Sequence, residues 1–282
     1  MKVLFYAGAS LAQHIDEEIQ ALALATCGER VLMLTSLGAT ETGPLSIVRT
    51  WDAGNTANVG VPAVGLEVKL APVADKLEVR LRGPNVTPGY WRQPELTRGA
   101  FDEEGFYRLG DAVKFADAGD PGAGLLFDGR IAEDFKLATG TWVNVELLRG
   151  RIVDHLAPYA RDVVVTGLGQ DDVGVLIFPD FSVCSRLIKT AAEDDDMPAA
   201  VIDHPRVRFE FRKRLEALAQ ISTGSSNRVV RALLVEEPPS LETGEMTDKG
   251  SINQAAVLKR RAALVAELYS RRQTSRVIVL DT

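Results

Sequence analysis

Residues 125–145, LLFDGRIAEDFKLATGTWVNV, decide how this chain is divided. Leu125, Leu126 and Phe127 read as the end of a strand, and Asp128-Gly129 as the tight turn that follows it. Lys136, Gly140 and Trp142 then open a second body, with Arg130 at the seam. An arginine placed there can bond a ligand held by the first body while belonging to the second. Such joints suit enzymes that turn two faces toward one bound intermediate. The expectation is a large-domain portion over residues 1–128 and a mobile lid domain over residues 129–282.

Toward the N-terminus, the first body opens as a β-α-β unit. Residues 3–7 (VLFYA) form an unbroken apolar run, the pattern of a strand covered on both faces. Leu11, Ile15, Ile19, Leu22 and Ala23 share one face of a helix over residues 11–26, and residues 31–34 read as a second buried strand. A beginning set directly on a buried strand reads as the middle of a domain, so residues 1–59 are expected to be a β-α-β remnant. Gly8-Ala9-Ser10 and residues 35–44 (TSLGATETGP) read as loops leaving neighbouring carboxyl ends, where open α/β sheets place ligands. In the second loop Gly38 and Ala39 permit close backbone approach, and Thr40 supplies a hydroxyl. Glu41 supplies a hard oxygen for a Mg²⁺-bridged phosphate. Taken alone, the same loop also reads as an ordinary turn with a surface acid.

Residues 60–128 change to short strands. LEVKL (66–70) and LEVRL (77–81) alternate strictly, so each is half-buried β in a small β-rich subdomain. Asp111, after Gly110 and among apolar strand residues, could accept both hydroxyls of a ribose or simply cap a turn.

Beyond the joint the pattern predicts a helix over 143–156, strands at 163–165 and 173–178, and a solvated acidic loop at 193–196. A helix over 205–219, a strand over 229–235, a polar loop over 236–250 and a last helix over 253–269 follow. Together these make an α+β unit with a three-stranded sheet, so the fold class is α/β plus α+β. STGSS (222–226) mimics a phosphate loop, but it follows a helix and precedes a strand, the reverse of the order an anion site needs. Ser10 lacks the second glycine of a nucleophile elbow. Lys249 lies in a loop between Gly244 and Gly250; taken alone it reads first as a surface lysine, with a charge brought to a developing phosphoryl group as the alternative.

Composition narrows the field. The chain has 282 residues, 46% of them hydrophobic, enough for two cored domains. A net charge of −7 without a basic stripe argues against a nucleic-acid partner. Cys27 and Cys184 stand far apart, as a reduced pair would, and His14, His155 and His204 have no metal-ligand spacing. No apolar run nears the roughly 20 residues of a membrane span, and residues 3–6 are too short for a signal-peptide core. The expected location is the cytoplasm.

Four stretches in this order resemble the adenylate-forming acyl-CoA synthetases: GATETGP, GYWRQPELTRGAFDEEGFYRLGD, FDGRIAEDFKLATGTWV and PPSLETGEMTDKGSINQ. GTWV and GEMTDKGSINQ are most similar to bacterial feruloyl-CoA synthetase-like members. The resemblance covers essentially the whole chain and implies ATP or AMP, Mg²⁺ and coenzyme A as cofactors, with a small carboxylic acid as substrate. It places Gly8, Ala9 and Ser10 against adenine and Gly38, Ala39 and Thr40 against adenine and the α-phosphate. Glu41 would hold Mg²⁺, Asp111 the ribose, and Arg130 would contact the nucleotide across the hinge. Lys249 would bridge carboxylate and α-phosphate, with Thr40 and Glu41 as the other catalytic residues, and Gly140 and Trp142 would face the pantetheine channel. Leu37, Ser10 and Ala132 depart from the family's habits. The family's phosphate loop with its lysine has no counterpart here, so the resemblance is to a carboxyl-terminal half, expected to be inactive alone. Alternatives are a long-chain fatty acid–CoA ligase, or a non-catalytic nucleotide-binding half of a split or truncated enzyme with a separate N-terminal half.

Overall fold

Strict alternation in LEVKL and LEVRL produces the first unit's outer hairpin: Val68 pairs with Leu81 and Leu70 with Val79, and Val79 and Leu81 are fully buried. The structure is a computed structural model that describes residues 2–8, 11–73, 75–188, 198–248, 250–272 and 274–280. The chain divides into two compact units, Met1–Ala132 and Glu133–Thr282.

The first unit runs β1 (Val3–Ala7), α1 (Gln13–Cys27), β2 (Leu32–Ala39), β3 (Gly43–Arg49), β4 (Asn58–Pro62), β5 (Glu67–Val73) and β6 (Lys76–Arg82). It continues through α2 (Pro94–Ala100), β7 (Tyr107–Phe115) and β8 (Leu125–Arg130). All eight strands join one sheet, in the order β1-β2-β3-β4-β8-β7-β6-β5. β1 and β2 are parallel with α1 between them, the expected β-α-β unit, and the other neighbours are antiparallel. β4 bonds both β3 and β8, so the sheet runs unbroken from the opening unit into the β-rich part.

Three expectations change in this unit. β1 is not covered on both faces: it is an edge strand, with Val3 46% and Phe5 53% exposed. α1 is held instead by a polar clasp, Gln20 giving its amide to the Val31 carbonyl (2.9 Å) and accepting the Val31 N–H (3.1 Å). Residues 35–44 are not a loop, because β2 continues to Ala39 and only Thr40–Thr42 turn before β3 begins. Asp128-Gly129 is not a turn either. Asp111 pairs with Arg130 and Val113 with Phe127, so Asp128 and Gly129 together oppose Ala112 in a β-bulge within β8.

The second unit opens with the hairpin β9 (Phe135–Lys136) and β10 (Trp142–Val143), then α3 (Val145–Leu156), capped by the Asn144 side chain accepting the Leu147 N–H. β11 (Ala160–Thr166), β12 (Val173–Pro179), α4 (Phe181–Ser185), α5 (Pro198–Asp203), α6 (Pro205–Gln220), β13 (Val229–Leu234), α7 (Gln254–Arg260), α8 (Ala262–Leu268) and β14 (Val277–Val279) complete it. Consecutive valines and leucines in β11 and β12 are buried on both sides. Val163, Val165 and Ile177 join a core with α3 and α6, while Val164, Leu176 and Phe178 join another with α7 and α8. Val207, Phe211, Leu215 and Leu218 make the buried stripe of α6.

The sheet has four strands among the described residues, β11-β12-β13-β14, rather than three. β14 is held by side chains from afar: Arg208 donates to the Arg276 carbonyl (3.1 Å) and Arg212 to the Val279 carbonyl (2.8 Å). The last helix is broken at Arg261, whose guanidinium turns inward to the Glu245 carboxylate. Residues 193–196 lie outside the described residues, so the acidic loop expected there is not described.

Candidate nucleotide site

The site is built on the carboxyl end of β2. A Cβ at Gly38 would lie 2.2 Å from the Gly43 carbonyl oxygen, so only glycine lets the chain fold back so tightly there. Thr42 Oγ1 accepts the Ala39 N–H at 3.0 Å, and Ser36 Oγ donates to the Pro44 carbonyl at 2.6 Å. These bonds staple the turn and leave Thr40 exposed and Glu41 half-buried at its tip. Gly8 directly follows Ala7, which pairs with Ser36, so Gly8 and the Gly38–Glu41 turn share one end of the parallel strand pair. Ala9 and Ser10 lie outside the described residues.

Glu41 is anchored rather than free. Tyr90 donates its hydroxyl hydrogen to Glu41 Oε1 at 2.9 Å, and the Thr87 N–H donates to the Glu41 carbonyl at 2.7 Å. Tyr107, at the start of β7, brings its hydroxyl to 3.3 Å from that of Tyr90. The Tyr107 hydrogen bond, burial and the Glu41 carboxylate all raise the Tyr90 phenol above its ordinary pKa, so it stays a donor at neutral pH.

Asp111 stands further along β7, four residues beyond Tyr107. Leu109, Gly110 and Asp111 lie between the pairs Arg80–Arg108 and Glu78–Ala112, a bulge that re-aims the strand. Asp111 is 4% exposed and faces Arg130 across β8, with Oδ1 3.4 Å from Nε. Arg130 belongs to the first unit, and its side chain is 60% exposed. The structure therefore brings Gly8, Gly38, Ala39, Thr40 and Glu41 to one strand end, pairs Asp111 with Arg130, and links Glu41 to the strand of Asp111 through two tyrosines.

The other two sequence-expected residues described here lie in the second unit. Gly140 (φ 86) closes the β9–β10 turn, its N–H donating to the Leu137 carbonyl at 2.9 Å. Trp142 is 38% exposed, with Lys136 Nζ 4.9 Å from its ring centre. Lys249 lies outside the described residues. The chain on either side of it is closely tied: the Thr247 N–H donates to the Ser251 carbonyl at 2.9 Å, and Met246 bridges Ile252.

Among the described residues no cluster of three or more His, Cys, Asp or Glu could hold a metal alone. A single carboxylate is what Mg²⁺ uses when waters and substrate phosphates complete its octahedron, so Glu41 fits that ion. Sequence reasoning assigned no role to Tyr90. It lies in the quoted GYWRQPELT stretch, and only the fold sets it against Glu41, 49 residues away.

Residues 134–273 match the family described as the AMP-binding enzyme C-terminal domain. Over 279 residues the chain is 25% identical to a chloroplastic long-chain-fatty-acid–[acyl-carrier-protein] ligase of Arabidopsis thaliana, covering 93% of this chain and 35% of that protein. It is 38% identical over 158 residues to the medium-chain fatty-acid–CoA ligase of Escherichia coli, covering 52% of this chain and 27% of the ligase. The adenylation domain of the carboxylic acid reductase from Segniliparus rugosus, solved with AMP and a co-purified carboxylic acid, superposes with a TM-score of 0.69. That match has 20% identity and covers 95% of this chain and 39% of the other. The chain thus spans roughly a third of its relatives' length. The chain has the fold of the corresponding part of that reductase's adenylation domain.

Proposed function

We propose that these residues belong to an ATP-dependent acid–thiol ligase, which joins a carboxylic acid to AMP and then passes the acyl group to coenzyme A. The observation that carries the reading is the Gly38–Glu41 turn: a glycine-dependent close approach, a hydroxyl and an anchored carboxylate at the carboxyl end of a parallel strand pair. Attack of a carboxylate on the α-phosphorus of ATP brings like charges together, and Mg²⁺ offsets that repulsion when bound. In this reading Thr40 donates to the α-phosphate, Glu41 holds the ion, Asp111 accepts the ribose hydroxyls and Arg130 lies beside them. Gly8, Gly38 and Ala39 let the nucleotide approach the backbone closely. Lys249 bridges carboxylate and phosphate in the first half-reaction, and Gly140 and Trp142 serve the thiol in the second.

The finer reading is a feruloyl-CoA synthetase-like enzyme, supported by the wording of GTWV (140–143) and GEMTDKGSINQ (244–254). A fatty acid–CoA ligase is the second reading, favoured by the Arabidopsis and Escherichia coli matches. Calorimetry with AMP tests the nucleotide site, and Asp111→Ala is expected to abolish the heat of binding. Carboxylate-dependent pyrophosphate exchange tests catalysis. The 282-residue chain is expected to exchange only when a polypeptide bearing a phosphate loop is added. Ordinary exchange by the chain alone overturns the incomplete-catalyst reading, and absence of AMP binding overturns the nucleotide reading. A thioester assay with hydroxycinnamates against long-chain fatty acids decides the acid.

A further inference from the structure

The segment Thr87–Thr97 is arranged around one hydroxyl group. Thr87 Oγ1 donates to the Gly89 carbonyl at 3.1 Å, and the Tyr90 N–H donates to Thr97 Oγ1 at 2.9 Å. Thr97 Oγ1 in turn donates to the Gln93 carbonyl at 2.9 Å, which closes the first turn of α2 on Tyr90. Gly89 (φ 147) is required for this closure, since a Cβ there would meet Thr97 Cγ2 at 2.4 Å. The Thr87 N–H donates to the Glu41 carbonyl at 2.7 Å, and just before the segment Asn85 Nδ2 donates to the Thr42 carbonyl, so this part of the chain is also bonded to the backbone of the turn. Tyr107 supports the hydroxyl from β7, and Phe101 meets the Tyr107 ring edge-on at 5.5 Å. These contacts fix the segment and, through it, one phenol against Glu41 Oε1.

A carboxylate half-exposed at a turn tip has free rotation about its last bonds, and one fixed oxygen removes most of it. From this geometry we infer that Tyr90 is a positioning residue for Glu41: it occupies Oε1 and sets Oε2 toward the divalent cation that accompanies the nucleotide phosphates. The inference rests on the reading of Glu41 as the cation's ligand. It gives the GYWRQPELT stretch a task, namely orienting a carboxylate it does not contain. In this role Tyr90 acts through the Glu41 carboxylate.

The test is Mn²⁺ binding to the full chain in the presence of AMP, followed by electron paramagnetic resonance of free Mn²⁺, together with AMP calorimetry in EDTA. The variants are Tyr90→Phe, Tyr107→Phe and Glu41→Gln, each checked for an unchanged circular dichroism spectrum. Tyr90→Phe is expected to weaken Mn²⁺ about tenfold, the worth of one hydrogen bond to a charged group, and to leave AMP affinity in EDTA unchanged. Tyr107→Phe is expected to give a smaller shift in the same direction, and Glu41→Gln to remove the Mn²⁺-dependent binding. A Tyr90→Phe titration that overlays the wild type while Glu41→Gln loses Mn²⁺ overturns the positioning role alone. Equal loss of AMP affinity in EDTA for Tyr90→Phe also overturns it, by showing a general packing defect. Wild-type Mn²⁺ binding in Glu41→Gln overturns the reading of Glu41 beneath it.

Discussion

Asp111 and Arg130 face each other across β7 and β8, Oδ1 to Nε 3.4 Å, with Asp111 almost wholly buried and Arg130 largely in solvent. Two bulges produce this pair. One in β7 around Gly110 turns Asp111, and one in β8 at Asp128-Gly129 sets Arg130 opposite it. An ion pair with one partner so exposed adds little stability, roughly 0–1 kcal/mol. Arg130→Ala is therefore expected to leave thermal unfolding nearly unmoved. Asp111→Asn keeps the shape but turns one of the two carboxylate acceptors into a donor, and is expected to weaken AMP binding about tenfold or more by calorimetry. Equal AMP affinity in Asp111→Asn refutes the ribose role.

A second expectation concerns acid. Asp102 accepts N–H bonds from Glu104 (3.0 Å) and Phe106 (2.9 Å) and meets Lys69 (3.0 Å) and Arg80 (3.1 Å). Burial favours the protonated acid, but the Phe106 amide and the two cations outweigh it and hold the carboxyl well below the usual carboxylate range. A depressed carboxylate stabilises the fold above its unfolded pKa, and that contribution is lost as pH falls through the folded value. Amide exchange at Glu104 and Phe106 is expected to stay protected from neutral pH down to the ordinary aspartate range near 3.8 and to rise below it. In Asp102→Asn the exchange is expected to be faster at neutral pH and to lack this step.

Legibility in the sequence followed the range of the forces involved. Val68, Leu70, Val79 and Leu81 announce their hairpin because alternation reports burial of one face directly. The parallel pairing of β1 and β2 was likewise readable from two apolar runs around a helix. β14 was not, since three residues near the end acquire strand geometry from Arg208 and Arg212, about 67 residues away. The break at Arg261 was hidden for a similar reason: its helical spacing is regular, and only the fold brings Glu245, Glu237 and Pro238 to its guanidinium. At the site, Gly38 to Glu41 and Asp111 stood out as residue types suited to a nucleotide. Tyr90 did not, because its partner is set by tertiary structure.

Cysteine reactivity separates the two units chemically. Cys27 is exposed at the end of α1, whereas Cys184 is buried on α4 and its thiol is pushed up to about 12, by burial and then by Asp180. A disulfide reagent at pH 8 is expected to modify one thiol rapidly in the native chain, at Cys27 by peptide mapping. Cys184 is expected to react only in denaturant. Rapid modification of both in the native chain contradicts this packing of α4.

The Glu245–Arg261 pair gives the firmest energetic expectation. Glu245 is 1% exposed and Arg261 7%. Two guanidinium nitrogens meet the carboxylate at 2.7 and 2.8 Å, and the remaining donors reach the Glu237 and Pro238 carbonyls at 2.7 and 3.1 Å. The Arg261 bonds hold the Glu245 carboxyl below its usual value against the opposing effect of burial, and the guanidinium lies 5.1 Å from the Phe178 ring centre. Removing Arg261 leaves the buried Glu245 carboxylate only the Ser240 N–H (3.2 Å) and the half-exposed Arg260 (3.8 Å), so Arg261→Met is expected to cost about 3 kcal/mol in urea unfolding. Replacing both, as Glu245→Leu with Arg261→Met, removes the stranded charge and is expected to recover much of that loss. Glu237 and Pro238 are exposed, so their carbonyls turn to water when Arg261 is gone, and each lost bond costs only the roughly 0.5–1.5 kcal/mol net of an ordinary hydrogen bond. A double variant no more stable than Arg261→Met alone would mean that the carbonyl bonds to Glu237 and Pro238, rather than the ion pair, hold this corner of the second unit together.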